Sequence, residues 1–421
     1  MGQSIQSIGG VRMKLEQNEK ELLRSLARRL AEIAARPEQA AKRRLWEKHN
    51  TLRGERPMFL CDQLPWNELD PACVYENSTI KNGYWAFQEV NLRREIYKAE
   101  HLLTDAVVDP YVKLSLPYDN SGWGLQYHIT QKKLDPNGSV ASQHMECLIN
   151  DFEDVEKIQL PVITPQEEKV KEVSEQADEL FDGIIPWKFT GCVLHLGVWD
   201  FISYWMGVEN CYIELMDRPE LMHAVMERCV QGLLSQIKGL NKYKLYDTNE
   251  HYCHCSHTYM PGDDPDAEGL TTNGWAFGLA QLFTSVSPAI TEEFECAYMQ
   301  RVFPHFKNIY YGCCDRLDDR LDKVSRLPNV RKISCSPWSK REAFAEKLPA
   351  SIIMGNKPSP AMLADDTFDE ELVRRDLRRT IDCAAANGKT LEMILKDVST
   401  VRYDPARLAR FCEIAREETE R

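Results

Sequence analysis

The sequence predicts an α/β protein, a (β/α)8 TIM barrel preceded by an N-terminal helical extension. Three observations lead there. In the last third of the chain, short apolar runs end near Cys313 ("KNIYYGCC"), Cys335 ("VRKISCS"), Gly355 ("SIIMG") and Lys396 ("TLEMILK"). Runs of this length and composition read as buried strands. Between them lie the helical stretches "LDDRLDKVSRL", "SKREAFAEKL" and "FDEELVRRDLRRTIDCAAAN", so strand and helix alternate as in a parallel sheet covered by helices. A length of 421 residues with 43% hydrophobic content suffices for one large domain with appendages. The repetition favours a closed barrel over a doubly wound sheet. No GxGxxG or GxxxxGK[ST] follows a strand, so dinucleotide or P-loop binding has no support.

In chain order, residues 14–46 place Leu15, Leu22, Leu26, Leu30 and Ile33 at helical spacing, and Pro37 starts a second helical piece. This extension occupies residues 1–55 and the barrel residues 56–421. Its basic face, Arg24, Arg28, Arg29, Arg43 and Arg44, is either solvated or met by an acidic partner. The opening MGQSIQ resembles a myristoylation start, but position 6 is Gln, and Met13 is an alternative start. From Arg56 the pattern changes to apolar runs such as "PMFLC" and "IIPWKFTGCVLHLGVW", separated by turn-rich pieces such as "LDPNGS". Residues 163–182 read as an acidic helix and 212–240 as a long amphipathic one. "FGLAQLFTSVSPAITEEF" reads as a strand, a Ser-Pro stop and a helix start.

A formal charge of −13 argues against nonspecific nucleic-acid binding, which needs clustered Lys and Arg. The 14 cysteines are spread along the chain without a signal-peptide pattern, which predicts a reduced, cytoplasmic protein. The most apolar stretch, 192–207, is broken by His195 and Asp200, so no membrane span is expected.

In a barrel the chemistry sits at the carboxyl ends of the strands. At one such end stands "GCCD", with Cys313 and Cys314. Thiolates bind zinc and act as nucleophiles, but adjacent side chains on an extended strand face opposite ways, so one cysteine is expected at the mouth. Packing of two small core residues explains the pair equally well. In "NEHYCHCSHTY", period-2 spacing puts Cys253, Cys255 and His257 on one face and His254 on the other, as metal ligands, substrate contacts or structural groups. In "TLEMILKDVST" the same period aligns Glu392, Ile394 and Lys396; a buried Glu and Lys require each other, a metal or a substrate. Ser334 and Ser336 end one strand, Asn356 and Lys357 the next, and Gln281 and Ser287 follow another, as candidate substrate contacts or turn residues. Trp66, Trp85, Trp123, Trp187, Trp199 and Trp275 are read mainly as core.

The order "LAQLFTSVSPAITEEF", "YYGCCDRLDDRLDKVSRLPNVRKISCSPW", "MGNKPSPAML", "TLEMILKDVSTVRYDPARL" resembles the uroporphyrinogen decarboxylase superfamily, in its corrinoid-dependent methyltransferase branch. The resemblance spans residues 56–418 and is strongest from 275 onward. It implies a (β/α)8 barrel that moves a methyl group between a small methylated substrate, such as a methyl ether or methylamine, and a corrinoid carried on a partner protein. It also implies zinc at the mouth. The family pattern has His-x-Cys at one strand exit and Cys near the last strand; here Tyr311-Gly312-Cys313 and Glu392 stand instead. The implied ligands are Cys313 or Cys314 and Glu392, with Cys255 or His257 as a third. Lys396, Asp397, Ser334 and Lys357 orient substrate or supply charge. A decarboxylase of the same superfamily holds its substrate carboxylates with arginines after the first strand. In "RPMFLCDQLPWNEL", beyond Arg56, only Asp62 and Glu68 carry charge, which makes decarboxylation the second choice and a noncatalytic binding barrel a third.

Overall fold

β-Branched, aromatic and aliphatic runs of four to six residues, each stopped by Gly, Pro or a charge, form the strands. They are β1 (Met58–Cys61), β2 (Val112–Ser115), β3 (Trp187–Thr190), β4 (Trp275–Gly278), β5 (Asn308–Tyr311), β6 (Val330–Cys335), β7 (Ile353–Asn356) and β8 (Leu391–Leu395). The computed structural model describes residues 14–126, 129–132, 142–264 and 266–421. The MGQSIQ start, Met13 and the "LDPNGS" turn lie outside them.

Six strands make one parallel sheet in the order β1-β8-β7-β6-β5-β4. β2 and β3 form a parallel pair, Val112 opposite Trp187. Beyond β3 the chain joins β4 through a parallel bridge between His195 and Phe277, with Leu196 N donating to Phe277 O at 2.7 Å. At the other seam β1 and β2 share no ladder. Asp105 fastens it instead: its N donates to Phe59 O at 2.9 Å and its Oδ2 accepts from Phe59 N at 2.8 Å. Arg56 grips the same carboxylate at 2.9 and 2.7 Å, and Arg416 at 2.9 Å. The fold is thus α/β, with a six-stranded parallel sheet in a barrel-like arrangement.

Period-2 alternation sorts the side chains. Phe59, Cys61, Ile309, Tyr311, Ile333, Met393 and Leu395 pack outward under the helices. Met58, Leu60, Trp275, Phe277, Tyr310 and Ile394 converge on a separate inner cluster. Two further pieces fill that interior. The antiparallel hairpin pairing Tyr252–Cys253 with Ser256–His257 contributes Cys253 and Cys255, and the second extension helix contributes Trp46.

The principal helices are α1 (Gln17–Ala34), α2 (Pro37–Asn50), α3 (Gly83–His101), α4 (Glu167–Phe181), α5 (Val198–Met206), α6 (Pro219–Tyr243), α7 (Glu370–Ala386) and α8 (Pro405–Thr419). Leu23, Ala27, Leu30 and Ile33 on α1 are fully buried against α3. Pro37 at the first turn of α2 separates it from α1, as its missing N–H permits there and not in a helix interior. Three of the five arginines on the basic face are engaged within the chain: Arg28 bonds Glu21 at 2.9 Å, Arg29 bonds Glu32 at 2.6 Å, and Arg43 lies over the Tyr259 ring at 5.1 Å. The helix expected over 212–240 begins instead at Pro219, because the proline interrupts it and leaves Val208–Asp217 as a separate piece. "LDDRLDKVSRL" keeps only Leu321–Val324 helical. Arg316 bonds Asp319 at 2.9 Å and Arg320 bonds it at 3.1 Å, tying the preceding residues into turns. Among the described residues no helix is long and apolar enough to cross a membrane.

Inside the sheet, Lys332 on β6 donates to Glu392 Oε2 at 2.7 Å, both side chains fully buried. Ser256 Oγ donates to the same oxygen at 2.8 Å, and His49 Nε2 lies 3.3 Å from it. Lys332 also meets Ser256 Oγ at 2.7 Å and His257 O at 3.0 Å. Burial alone would raise the Glu392 carboxyl, but Lys332, followed by His49, outweighs it and lowers it to about 2. Lys332→Met strands a buried carboxylate and is expected to destabilise the fold by about 3–5 kcal/mol. Urea denaturation checks this, and Lys332→Met with Glu392→Leu should recover most of the loss. Because the Glu392 carboxyl is depressed on folding, its contribution is complete above the unfolded value near ~4.3 and is lost as pH falls toward 2. The same denaturation series at descending pH should show that slope in the native chain and not in the double variant.

Candidate functional site

At the exit of β5 the backbone turns through Gly312 at φ +84°, a conformation that suits glycine. A Cβ there would lie 2.6 Å from Leu317 Cδ1, a side-chain end that can shift, so it is the backbone conformation that calls for glycine. The following cysteines therefore sit in a bend, outside the strand, and the expected alternation between them fails. Both thiols turn to the same side, with Cys313 Sγ 3.5 Å from Cys314 Sγ. Ser334 Oγ donates to Cys313 O at 2.6 Å and Asp315 Oδ1 accepts from Cys313 N at 2.9 Å, fixing the bend from two directions.

The exit of β8 supplies the other half. Asp397 adopts φ +57°, a left-handed position that costs a non-glycine residue on the order of 1–3 kcal/mol. Val398 N, donating to Gln63 O at 3.1 Å, holds the turn. Asp397 Oδ2 lies 3.0 Å from Cys314 Sγ. A thiol has one proton, so Cys314 can serve Cys313 or Asp397 but not both at once. Lys396 Nζ donates to Cys313 Sγ at 2.9 Å and to His254 Nε2 at 3.3 Å, and stands 3.6 Å from Asp397. The Cys314 hydrogen bond and then the Lys396 ammonium lower the Cys313 thiol to about 6, against the opposing effect of burial. Cys314 is pushed upward by its bond to Cys313, by burial and by Asp397. Burial, followed by the charges of Lys396 and Lys357, holds His254 neutral, so its Nε2 accepts. The His254 ring stacks on Phe277 with centroids 3.7 Å apart.

Two further groups border the mouth. Lys357 Nζ donates to Tyr310 Oη at 2.6 Å and to Cys255 Sγ at 3.1 Å. Gly355 makes room for that phenol, since a Cβ would lie 2.6 Å from it. Past β3, His195 Nε2 lies 3.5 Å from Asp200 Oδ2 on the first turn of α5, and its ring meets Phe277 edge-on at 5.1 Å. A cleft of about 550 Å³ opens along the β1–β2 seam, lined by Asp62, Gln63, Trp66, Asn91 and Tyr252, a size suited to a small organic ligand.

Cys313, Cys314 and Asp397 each offer a donor atom, all within 4.8 Å of one another. Two thiols and a carboxylate form a set that suits zinc, and three protein donors is the number catalytic zinc sites use. Lys396, expected as a mouth residue, is there. Glu392 is not: Lys332, Ser256 and His49 engage it inside the sheet, and Asp397 takes the place expected of it beside the cysteines. Cys255 is fully buried under Lys357 rather than beside Cys313. His257 accepts from Val107 N through Nε2 at 3.1 Å and meets His251 O through Nδ1 at 3.2 Å, so both ring nitrogens are occupied by backbone. Ser334 spends its hydroxyl on the Cys313 carbonyl. Asn356 is buried at the β7 exit with Oδ1 lacking a protein partner, and Gln281 is half-buried on the turn Gln281–Ser285. Ser287 caps Pro288–Thr291 by accepting from Ile290 N. His254, named among the His and Cys of the hairpin, is at the mouth beside Lys396, whereas sequence reasoning assigned no site role to His195 or Asp200. The available signal for the last two was a His and an Asp interrupting an apolar run at a strand exit.

No protein-family model and no curated protein matches the sequence. Among solved structures, the chain is similar to a methyltransferase from Methanosarcina mazei, with a TM-score of 0.50 and 10% sequence identity, over 89% of this chain and 97% of that one. At that identity the likeness is one of fold.

Lys396→Met removes the cation nearest Cys313. In the metal-free protein its thiol ionisation should move from about 6 toward the ordinary range near ~8.5. Ultraviolet thiolate absorbance, with Cys313→Ser subtracted, reads the midpoint.

Proposed function

We propose that the protein is a methyltransferase of the uroporphyrinogen decarboxylase superfamily type on a (β/α)8 scaffold, acting in the cytoplasm between a small methylated substrate and a corrinoid carried on a partner protein. The observation that carries this reading is the cluster of Cys313, Cys314 and Asp397 at adjacent strand exits, beside the Lys396 ammonium. The fold likeness to a methyltransferase agrees with it.

In this reading Cys313, Cys314 and Asp397 hold zinc, which supplies Lewis acidity toward a heteroatom when bound. The rest falls to the chain. Lys396 offsets the anionic charge of two thiolates and a carboxylate; burial lowers it, but Cys255, then Cys313 and Asp397, outweigh that and raise it. His254, neutral and stacked on Phe277, orients the Lys396 ammonium. Lys357 and Tyr310 present a buried donor pair beneath the mouth. The seam cleft gives a small donor molecule room to lie beside Gln63 and the β8 exit.

The purified protein should bind about one zinc per chain, as catalytic sites of three protein ligands do. Cys314→Ser and Asp397→Ala should weaken binding at least ~10-fold, the loss typical even of outer-shell partners, whereas Glu392→Gln should leave stoichiometry unchanged. A methyl-transfer assay against cob(I)alamin or methylcobalamin, read from the cobalt absorption over a panel of methyl donors and acceptors, tests the reaction. No spectral change with any of them, together with carbon dioxide release from a porphyrinogen, would move the assignment to a decarboxylase.

A further inference from the structure

The seam cleft holds a group of charges that the cysteine site does not use. Lys113 Nζ on β2 stands 3.2 Å from Asp109 Oδ2, 3.9 Å from Glu95 Oε1 on α3 and 3.9 Å from Glu250 Oε1, just ahead of the inner hairpin. Lys113, Glu95 and Glu250 all line the cleft. One ammonium thus faces three carboxylates, and they are not served equally. Asp109 is its near partner and also accepts from Tyr259 Oη at 2.9 Å, whereas 3.9 Å is beyond hydrogen-bond length. Among the described residues no donor reaches either glutamate side chain within that length. Asp109, only 1% exposed, keeps its Oδ1 without a partner as well. Glu95 and Glu250 are 26% and 37% exposed, so a molecule in the cleft can meet them.

The other cations of the cleft are already spent. Lys98 stands 3.4 Å from Asp62, and Arg94 donates from Nε to Cys73 O at 2.9 Å while its guanidinium lies over the Trp66 ring at 5.4 Å. Lys113 alone therefore answers Asp109, Glu95 and Glu250, and negative charge is left over. Burial raises Glu95 to about 7, with Lys113 opposing it, and raises Glu250 against the same opposition. These acids do not gather closely enough to hold a bare metal ion, as the cysteine cluster does. Around them the lining is apolar, with Leu60, Leu92, Ala99, Val107 and Val108, and the volume of about 550 Å³ far exceeds an ammonium group. The missing cation has room for a carbon body.

We propose that the seam cleft is a binding site for a primary ammonium carried on an apolar body, with its N–H groups shared between Glu95 and Glu250 and its body against Leu92, Val107 and Val108. The proposal does not rest on the methyl-transfer reading, because the group recognised is the ammonium and no methyl takes part. Two carboxylates without donors set the chemistry. A primary ammonium brings three N–H donors together with its charge, enough to reach both. A quaternary ammonium brings the charge without donors, and an alcohol brings a donor without the charge. Neither meets both needs.

Isothermal titration calorimetry on the full chain, with 2-phenylethylammonium, its N,N,N-trimethyl derivative and 2-phenylethanol, tests this. The primary ammonium should bind at least ~10-fold more tightly than either of the others, the ratio that one charge-assisted hydrogen bond supplies. In the double variant Glu95→Gln with Glu250→Gln that advantage should disappear, while binding of the alcohol stays within about twofold. Asn91→Trp, which fills the cleft and keeps both carboxylates, should abolish binding of all three probes. A bound cation favours the Glu95 anion, so affinity for the ammonium should be full above about 7 and fall as pH drops below it. That slope is read in the native chain, independently of how the variants fold. Equal affinity for the alcohol or the trimethyl probe, an undiminished advantage in the double variant, binding that survives Asn91→Trp, a flat pH profile, or no saturable binding of the ammonium would overturn the proposal. No cobalt and no turnover enter the experiment, so its failure leaves the methyl-transfer reading standing, and failure of that reading leaves the site.

Discussion

The buried ion pair between Lys332 and Glu392 is the constraint on which the rest of the structure hangs. Taking two charges out of water costs several kcal/mol apiece, and such a pair is tolerated only when its remaining hydrogen-bonding capacity is met. Here Ser256 Oγ and His257 O meet part of it and His49 Nε2 lies 3.3 Å from Glu392 Oε2, while Glu392 Oε1 has no hydrogen-bond partner. The contributors come from β6, β8, the inner hairpin and α2, so one contact registers four pieces of chain that are far apart in sequence. An apolar filling of equal volume would hold the sheet together at least as well, but would tolerate a slip of one residue. A Lys facing a Glu does not, because a slip would turn each to the opposite face.

That register decides what reaches the mouth. Four residues beyond Glu392 on the same strand face, roughly 13 Å along β8, stands Lys396. The inner carboxylate is consumed by Lys332, so Lys396 finds no buried carboxylate and turns to Cys313 and His254. Lys357 is in the same position, donating only to a phenol and a thiol. Two ammoniums set among thiols favour thiolate. The fall of the Cys313 thiol from 9.0 to about 6, owed first to the Cys314 hydrogen bond and then to Lys396, corresponds to about 4 kcal/mol in favour of the anion. Opposite charges ~4 Å apart attract by a similar amount at an effective dielectric near 20. The reactive end of the molecule is thus an electrostatic consequence of how the interior is filled.

Much of this was legible in the sequence because periodicity survives wherever the backbone is regular. β5 to β8 end within a residue or two of the apolar runs that announce them, and Glu392, Ile394 and Lys396 share a face as period-2 spacing requires. The failures fall where φ turns positive. Gly312 breaks the strand one residue before the cysteines and brings together two thiols that alternation would separate. Asp397 takes a left-handed conformation that nothing in "LKDVST" announces, and so replaces Glu392 beside them. In "HYCHCSHTY" the hairpin reverses at His254, itself at φ +58°, so Cys253, Cys255 and His257 do not line one strand face as ligands. Pairing between distant segments was illegible as well: His195 meets β4 through a single bridge to Phe277, a contact made across 82 residues with no local signature.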